Sequence, residues 1–278
     1  MDPAKGAVRY GERVTLRGQF PGAPNATVVL QYRSAGSRSF RQVATRHTNE
    51  QGRWTARVKP HGTGMWRARL ESPRTTQAAP DDPLAPEPVA VDSETRAKRV
   101  KVRSITDVDA PNHTITGRSL EIDGVVKPGG KRKVVISVGG RDITTRANRH
   151  GRFDVNWRAG STGTHKVKAR ARGNREAAGS GDRAGRLTVY RTAYASWYGP
   201  GLYGNRTACG QTLTSSTLGV AHKSMPCGTK LKLRHGNNTV RVRVIDRGPY
   251  VGGREFDLTE ATRNRLGFGS TGTILTSK

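Results

Sequence analysis

The feature that most constrains this chain is an internal repeat in its first two thirds. The segment TNEQGRWTARVKPHGTGMWRARL (48–70) aligns with ANRHGRFDVNWRAGSTGTHKVKA (147–169) at a constant offset of 99 residues. In both copies an Asn-x-x-Gly-Arg turn leads into an alternating strand, a Gly/Thr turn and a further strand. We expect that turn to close a hairpin, with its glycine at positive φ. The repeat therefore predicts two modules of the same structure.

Each module is predicted to be a β-sandwich. Both copies begin with strand, Pro/Gly turn and strand, and both end with a polar loop and a short strand: TTQAAPDDPLAPEP with VAV, and GNREAAGSGDRAG with RLTVY. Seven or so short strands in roughly 90 residues are typical of an immunoglobulin-like sandwich. Thirty-four glycines and 14 prolines also favour short strands and turns over long helices. We expect mainly β structure, with sandwiches at 5–95 and 96–190 that act as spacers or adhesive units.

The charge of the chain points to anionic partners. The formal net charge is +28, and the basic residues are spread along the sequence rather than gathered in a tail. Such a surface accumulates near polyanions, whether nucleic acid, anionic lipid or anionic wall polymers. A specific nucleic-acid partner ranks last, because no motif of a nucleic-acid-binding fold is present. No apolar run reaches the ~18 residues of a transmembrane segment, and MDPAKGAVRYGE does not resemble a signal peptide.

Two cysteines, Cys209 and Cys227, suggest where the protein works. Their spacing of 18 residues differs from a CxxC redox or zinc pair. A disulfide closing that loop would stabilise its domain by ~3 kcal/mol, and such bonds persist outside the cytoplasm. The alternative is a pair of free, buried thiols. We expect the disulfide, and therefore a secreted protein.

The last region, 191–278, differs from the repeat. TKLKLRH and TVRVRVID are alternating strands joined by the turn GNN. DLTEATRNRLGF predicts a helix with Thr259 as N-cap and Gly267 as its end. Several strands, this helix and a final TGTILT strand predict a small closed barrel.

Three sequence blocks of this region carry a specific resemblance. ASWYGPGLYGNRTACG, VAHKSMPCGTKLKL and VRVIDRGPYVGGREFDLTEA, followed by RLG, occur in this order. Together they resemble the double-psi β-barrel domain of rare lipoprotein A (RlpA)-type lytic transglycosylases. The resemblance implies a barrel that acts on peptidoglycan glycan strands and needs neither a cofactor nor a metal.

The resemblance implies acid/base roles for Asp246 and Asp257, which lie 11 residues apart, together with His222. Lytic cleavage protonates the leaving oxygen and then deprotonates the C6 hydroxyl, so one carboxyl group can serve both steps. The alternatives are structural: an Asp246–arginine ion pair, Asp257 holding a turn, and a histidine that only donates to a backbone carbonyl. A metal site formed by these three residues is a minor alternative.

Further side chains are candidates for substrate binding. Gln211 stands where the family usually has a glutamate, so the domain either uses an aspartate as its acid or is inactive. Arg247 and the rings of Trp197, Tyr198 and Tyr250 are expected to bind substrate, although core packing is an equal alternative for Trp197. We expect a secreted, wall-associated lytic transglycosylase. The alternative is a non-catalytic glycan-binding or expansin-like wall-loosening module.

Overall fold

A computed structural model describes residues 1–71 and 93–278, apart from the side chains of 182–184. The predicted loop and VAV strand that end the first module lie outside the described residues. Among the residues described, no helix is long and apolar enough to cross a membrane. The protein is mainly β, with two immunoglobulin-like sandwiches followed by a barrel that carries one short helix.

The first module packs a three-stranded sheet against a five-stranded sheet, in the orders β1-β3-β6 and β2-β8-β7-β4-β5. Its strands are β1 (Asp2–Pro3), β2 (Ala7–Arg9), β3 (Val14–Gln19), β4 (Thr27–Ser34), β5 (Arg41–His47), β6 (Arg53–Val58), β7 (Gly64–Leu70) and β8 (Lys98–Arg103). Inward residues of both sheets, including Leu16, Trp54 and Trp66, form one buried cluster. Burial on one face of each sheet is what the alternating pattern predicts.

The second module repeats this arrangement with the sheets β14-β11-β9 and β13-β12-β15-β16, and β10 adds to β16. Its strands are β9 (Ile105–Asp109), β10 (His113–Ile115), β11 (Ser119–Lys127), β12 (Arg132–Val138), β13 (Arg141–Ala147), β14 (Arg152–Arg158), β15 (Gly163–Ala171) and β16 (Ser180–Tyr198). Its core is a separate cluster that includes Ile122, Ile136 and Phe153.

The repeated Asn-x-x-Gly-Arg turn has the same structure in both modules. The Asn49 side-chain oxygen accepts the backbone N–H of Arg53 at 2.8 Å, and that of Asn148 accepts the equivalent N–H of Arg152 at 3.1 Å. Gly52 and Gly151 have φ of 69° and 82°. A Cβ at either glycine would lie 2.1 Å from a carbonyl oxygen of the facing strand segment. Positive φ and this close approach both require glycine.

The prediction that this turn closes a hairpin is wrong. β5 pairs with β4 and β6 pairs with β3, so the turn carries the chain from one sheet to the other, and β13 and β14 are related in the same way. The Asn side chain satisfies the amides of the turn locally, and the strands on either side are then free to pair elsewhere. A local motif identifies the turn but not the partners of its strands.

The third module is a closed barrel of six strands. Pairing runs β16-β20-β17-β19-β18-β21, and β21 pairs back with β16. The strands that follow β16 are β17 (Val220–Ala221), β18 (Lys230–His235), β19 (Asn238–Asp246), β20 (Phe256–Thr259) and β21 (Gly272–Thr276). A third buried cluster, which includes Leu233, Val244, Phe256 and Leu258, fills the interior. The closed barrel and the β18–β19 hairpin are confirmed.

The predicted helix is also confirmed as α1 (Glu260–Leu266). Thr259 caps it by accepting the N–H of Thr262, and Gly267 ends it in the left-handed conformation. Thr259 and Thr262 are both buried and bond the backbone of Gly219. The cap therefore fixes the helix and the end of the 199–219 loop to each other.

β16 belongs to both the second sandwich and the barrel. Its residues up to Val189 pair with β15, and its residues from Arg191 onward pair with β21. One uninterrupted strand of 19 residues thus connects the two modules. The predicted domain limits 5–95, 96–190 and 191–278 stay a prediction.

Candidate active site

Four neighbouring barrel strands bring one residue each into a row, which we call the carboxylate row: Asp246, Ala221, Asp257 and Ser196. Ala221 pairs with Asp246 on one side and with Asp257 on the other, and Asp257 pairs with Ser196. Residues paired across a sheet project to the same face. Two strand spacings separate the aspartates, which places their backbones about 10 Å apart.

A β-bulge places Asp246 in this row. Val220 pairs with Val244 but Ala221 pairs with Asp246, so Ile245 is the extra residue. With regular pairing Ala221 would lie opposite Ile245, and the Asp246 carboxylate would point to the other face of the sheet. Without the bulge the Asp246 side chain would face the barrel core; with it, the side chain joins the carboxylate row.

Backbone amides orient the Asp246 carboxylate. One oxygen accepts the N–H of Ala208 and the N–H of Arg247, both at 2.8 Å. The next residue of the 199–219 loop, Cys209, donates its N–H to the Ile245 carbonyl at 3.2 Å and forms the predicted disulfide with Cys227. Asp246 and Ile245 therefore hold the 199–219 loop at one end of the row.

Asp257 has a different environment, formed by β16. The Ser196 hydroxyl donates a hydrogen bond to it. Tyr198, two residues along the same strand, has a buried hydroxyl that approaches the Asp246 carboxylate without a hydrogen bond of good geometry. Burial raises the pKa of Tyr198, and the charges of Asp246 and Asp257 raise it further. Tyr198 is therefore a neutral donor near both carboxylates.

His222 lies next to Ala221 and is buried against Phe256, with ring centroids 5.0 Å apart. Its Nδ1 accepts the backbone N–H groups of Ser224 at 3.1 Å and Met225 at 3.0 Å. This pattern assigns the proton of the neutral ring to Nε2. Burial lowers the pKa of His222, an effect that the Glu255 carboxylate partly offsets. The imidazole is therefore neutral at pH 7.

Sequence reasoning missed a pair beside His222. Glu255 lies 3.7 Å from His222 Nε2 and accepts two hydrogen bonds from the Arg191 guanidinium, one of them at 2.8 Å. The hydrogen bonds and charge of Arg191 hold the pKa of Glu255 below its ordinary value. Glu255 directly precedes the Phe-Asp of the motif, but Arg191 is 64 residues away. No local spacing could have revealed this pair.

We expect the barrel to lose stability on mild acidification because of His222. Its unfolded state takes up a proton near pH 6.5, whereas the folded ring, with its lowered pKa, does so only at lower pH. The stability that the neutral ring contributes is present above about pH 6.5 and is lost as pH falls. His222→Asn keeps an acceptor for the two N–H groups but does not titrate. Thermal unfolding between about pH 7 and pH 5 should therefore show a shallower decline for this variant; an equal decline would contradict the assignment.

The structure gives Arg247 and Trp197 contacts within the barrel. Arg247 donates to the carbonyl oxygens of His222 at 3.3 Å and Met225 at 2.9 Å, and so braces the loop that carries Cys227. Trp197 packs against the barrel core, with the Arg263 guanidinium 4.3 Å above its ring centre. It alternates with Ser196 and Tyr198, so it lies on the opposite face of β16. This favours core packing for Trp197, the alternative left open by the sequence.

Tyr250 and Gln211 are exposed on the loops around the row. Tyr250 is 80% exposed in the loop between β19 and β20. The Gln211 carbonyl accepts the Thr207 N–H at 2.7 Å, and the Gln211 N–H donates to the Thr207 hydroxyl at 3.2 Å. These bonds form a tight turn next to the Ala208 amide that binds Asp246. Their roles in substrate binding stay predictions.

The site thus offers acid/base groups and hydroxyl donors on one face of the barrel. Within residues 1–71 and 93–278, no group of three or more His, Cys, Asp or Glu side chains is placed to hold a metal ion. What the arrangement can do chemically is transfer protons and orient a hydroxyl-rich ligand.

Comparison with known proteins identifies this barrel. Residues 190–276 match a family model described as a lytic transglycolase of the double-psi β-barrel type. A probable endolytic peptidoglycan transglycosylase RlpA of Synechocystis is 42% identical over 94 residues, which are 33% of this chain and 29% of that protein. The endolytic peptidoglycan transglycosylase RlpA of Campylobacter jejuni is 43% identical over 81 residues, 28% of this chain and 30% of that protein. The chain thus spans under a third of the length of these relatives.

Among solved structures, the Streptomyces papain inhibitor matches 32% of this chain and 94% of its own, at 22% identity and a TM-score of 0.25. From the family model and the relatives, the C-terminal region is an RlpA-like double-psi β-barrel domain.

Proposed function

We propose that the barrel cleaves peptidoglycan glycan strands by lytic transglycosylation of the MurNAc–GlcNAc bond. The observation that carries the proposal is the carboxylate row, in which two acidic side chains and a serine share one face across four strands. The RlpA relatives are named for this activity, and their match with this chain is confined to the barrel.

In the proposed reaction one carboxyl group acts twice. As an acid it protonates O4 of GlcNAc while the bond from that oxygen to C1 of MurNAc breaks. The resulting carboxylate then takes the proton of the MurNAc C6 hydroxyl, whose oxygen forms the new bond to C1. The products are a free GlcNAc end and a 1,6-anhydro ring; no water is consumed, and the carboxyl group ends protonated as it began.

We assign this role to Asp257 rather than to Asp246. One Asp246 oxygen accepts the amides of Ala208, in the 199–219 loop, and of Arg247, so this oxygen is committed to the fold. Asp257 bonds a serine hydroxyl, which can rotate as the carboxyl group gains or loses a proton. Asp246 then positions the loop and adds negative charge near the positively charged sugar that develops at C1.

Tyr198 and His222 complete the proposed site. The neutral Tyr198 hydroxyl is buried beside the Asp246 carboxylate and helps to position that carboxylate for the sugar. Neutral His222 acts as a positioning residue: its Nε2 faces Glu255, which Arg191 holds, and its ring packs on Phe256, the neighbour of Asp257. Exposed Tyr250 provides an aromatic face for a sugar ring at the edge of the row.

Digestion of purified peptidoglycan tests the proposal. We expect soluble muropeptides that carry 1,6-anhydro ends, identified by mass: a lytic product is lighter by one water than the corresponding hydrolytic product. Products with reducing MurNAc ends would replace the proposed reaction with hydrolysis. Binding to peptidoglycan without any soluble product would instead support the second function below.

The second function is non-catalytic glycan binding or expansin-like wall loosening. Gln211, which stands where the family usually has a glutamate, favours it, because an amide cannot exchange a proton at neutral pH. In this function the carboxylate row and Tyr250 bind a glycan strand without cleaving it.

Gln211→Glu separates the two functions. If Asp257 is the acid/base, adding a second acid beside the Asp246 loop should change the rate of anhydro-product release by less than about tenfold. A barrel that is inactive for lack of this acid should gain activity from an undetectable level. Gln211→Met, similar in length but without the amide, controls for changes in binding.

We also propose that the protein works outside the cytoplasm, at the cell wall. The Cys209–Cys227 disulfide and a polymeric wall substrate both support this location.

A further inference from the structure

A basic cleft lies between the second sandwich and the β18–β19 hairpin of the barrel. It consists of two adjoining cavities of about 590 Å³ and 240 Å³ that share Thr164, Arg186, Lys232 and Arg241 in their walls. The cations that line it, which define the basic cleft below, are Arg186, Lys230, Lys232, Arg234, Arg241 and Arg243. These residues are distinct from those of the carboxylate row.

The strand register brings like charges face to face in this cleft. Lys230 lies directly opposite Arg243, and Lys232 directly opposite Arg241. Like charges at paired positions repel each other and destabilise the sheet. The lining of both cavities contains no carboxylate, and within the described part of the chain none of the six cations forms an ion pair. The repulsion between these cations is therefore not neutralised by any carboxylate among the described residues.

A buried, unpartnered hydroxyl lies in the lining of the smaller cavity. Tyr190 is 0% exposed, and its hydroxyl lies near the Thr188 side chain without a hydrogen bond of good geometry. A buried hydroxyl without a partner costs free energy. The hydroxyl is closed off from solvent in the free protein, so a ligand oxygen at the floor of the cleft satisfies it once the neighbouring side chains move aside.

The same cavity has a positive potential. His113 lines it, and the pKa of His113 is lowered by burial and then by the charges of Arg234 and Lys232. The aromatic ring of Tyr190 is buried and offers no face on which a nucleobase could stack. One arginine guanidinium group can bind two oxygens of a phosphate through two parallel hydrogen bonds. These features match a chain of phosphodiesters without bases.

We propose that the basic cleft binds an anionic phosphodiester polymer of the polyol-phosphate type, with successive phosphates along the β18–β19 cations and one phosphate oxygen accepting from Tyr190. The proposal does not depend on the catalytic activity. It holds whether the barrel cleaves glycan or only binds it.

The test measures the affinity of the full chain for a short, fluorescently labelled poly(glycerol phosphate). Lys232→Gln/Arg241→Gln should weaken binding by about tenfold or more at low salt. The slope of log K against log salt should become less steep by about 1.4, because two phosphate contacts are lost. The matched control is Lys133→Gln/Arg146→Gln, because this exposed Lys–Arg pair is also opposed across two antiparallel strands but lies outside both cavities. It removes the same charge and should change binding by less than about twofold.

Three results would overturn the proposal. The control pair could weaken binding as much as the cleft pair, which would make the attraction one of net charge only. Oligothymidylate of equal charge could bind more tightly than the polyol phosphate, which would assign the cleft to nucleic acid. Poly-glutamate could bind as tightly, which would remove the preference for phosphate.

Tyr190→Phe gives a readout that a purely structural role would not produce. Because the hydroxyl makes no hydrogen bond of good geometry in the fold, its removal should leave the unfolding temperature unchanged or raise it, yet weaken polymer binding several-fold. In the wild type, polymer binding should also raise the pKa of His113, measured by NMR titration. Unchanged affinity in Tyr190→Phe together with an unmoved His113 would contradict the proposed location.

Discussion

Asp257→Asn is expected to reduce the release of 1,6-anhydro-muropeptides by about 10²-fold or more. The amide keeps the size of the side chain and can still accept from Ser196, but it cannot give a proton to O4 or take one from the C6 hydroxyl. The loss should appear in the rate of bond cleavage, while the amount of protein bound to insoluble peptidoglycan stays unchanged.

The controls for this variant separate chemistry from folding. Asp154→Asn changes an exposed aspartate on the second sandwich and should leave product release unaltered. Asp246→Asn should lower the thermal stability of the barrel as well as its activity, because one oxygen holds two backbone amides. If Asp257→Asn retained wild-type release while Asp246→Asn lost it, the roles of the two aspartates would be reversed.

Cys209→Ser/Cys227→Ser is expected to destabilise the barrel by about 3 kcal/mol, the chain-entropy value for a loop of this length. For a domain of this size, that lowers the unfolding temperature by roughly 12–24 °C. Activity should fall in parallel, since the disulfide holds the loop whose Ala208 amide binds Asp246.

The two sandwiches provide an internal reference for this variant, because both cysteines belong to the barrel. Calorimetry should show the barrel transition moving while the transitions of the sandwiches stay in place. Reduction of the wild type should reproduce the shift. A reduced barrel that melts at the oxidised temperature would show that the loop is held by its hydrogen bonds alone.

Features specified by neighbouring residues could be predicted from the sequence. The helix with its Thr259 cap and Gly267 end, the β18–β19 hairpin and the glycine turns at 52 and 151 all follow from short-range conformational preferences. Family resemblance supplied Asp246, Asp257 and His222 as candidates, and the structure places Ala221 between the two aspartates.

What could not be predicted depends on contacts between distant strands. The Asn-x-x-Gly-Arg turns predict hairpins, but the packing of the whole sandwich determines which strands pair. The strands on either side of each turn therefore join different sheets. Two further features form only in the closed barrel. They are the bulge that places Asp246 in the carboxylate row and the Glu255–Arg191 pair. The same is true of the basic cleft, whose walls come from two modules.

The sharing of β16 has a mechanical consequence. A tandem protein usually swivels at the peptide between its domains, but here that stretch is hydrogen-bonded on both sides of Tyr190, and the Thr116 amide also bonds the Tyr190 carbonyl at 2.8 Å. Twisting the last two modules against each other would break ladder bonds rather than rotate free backbone dihedrals. The second sandwich therefore fixes the orientation in which the barrel presents its carboxylate row to a polymeric ligand.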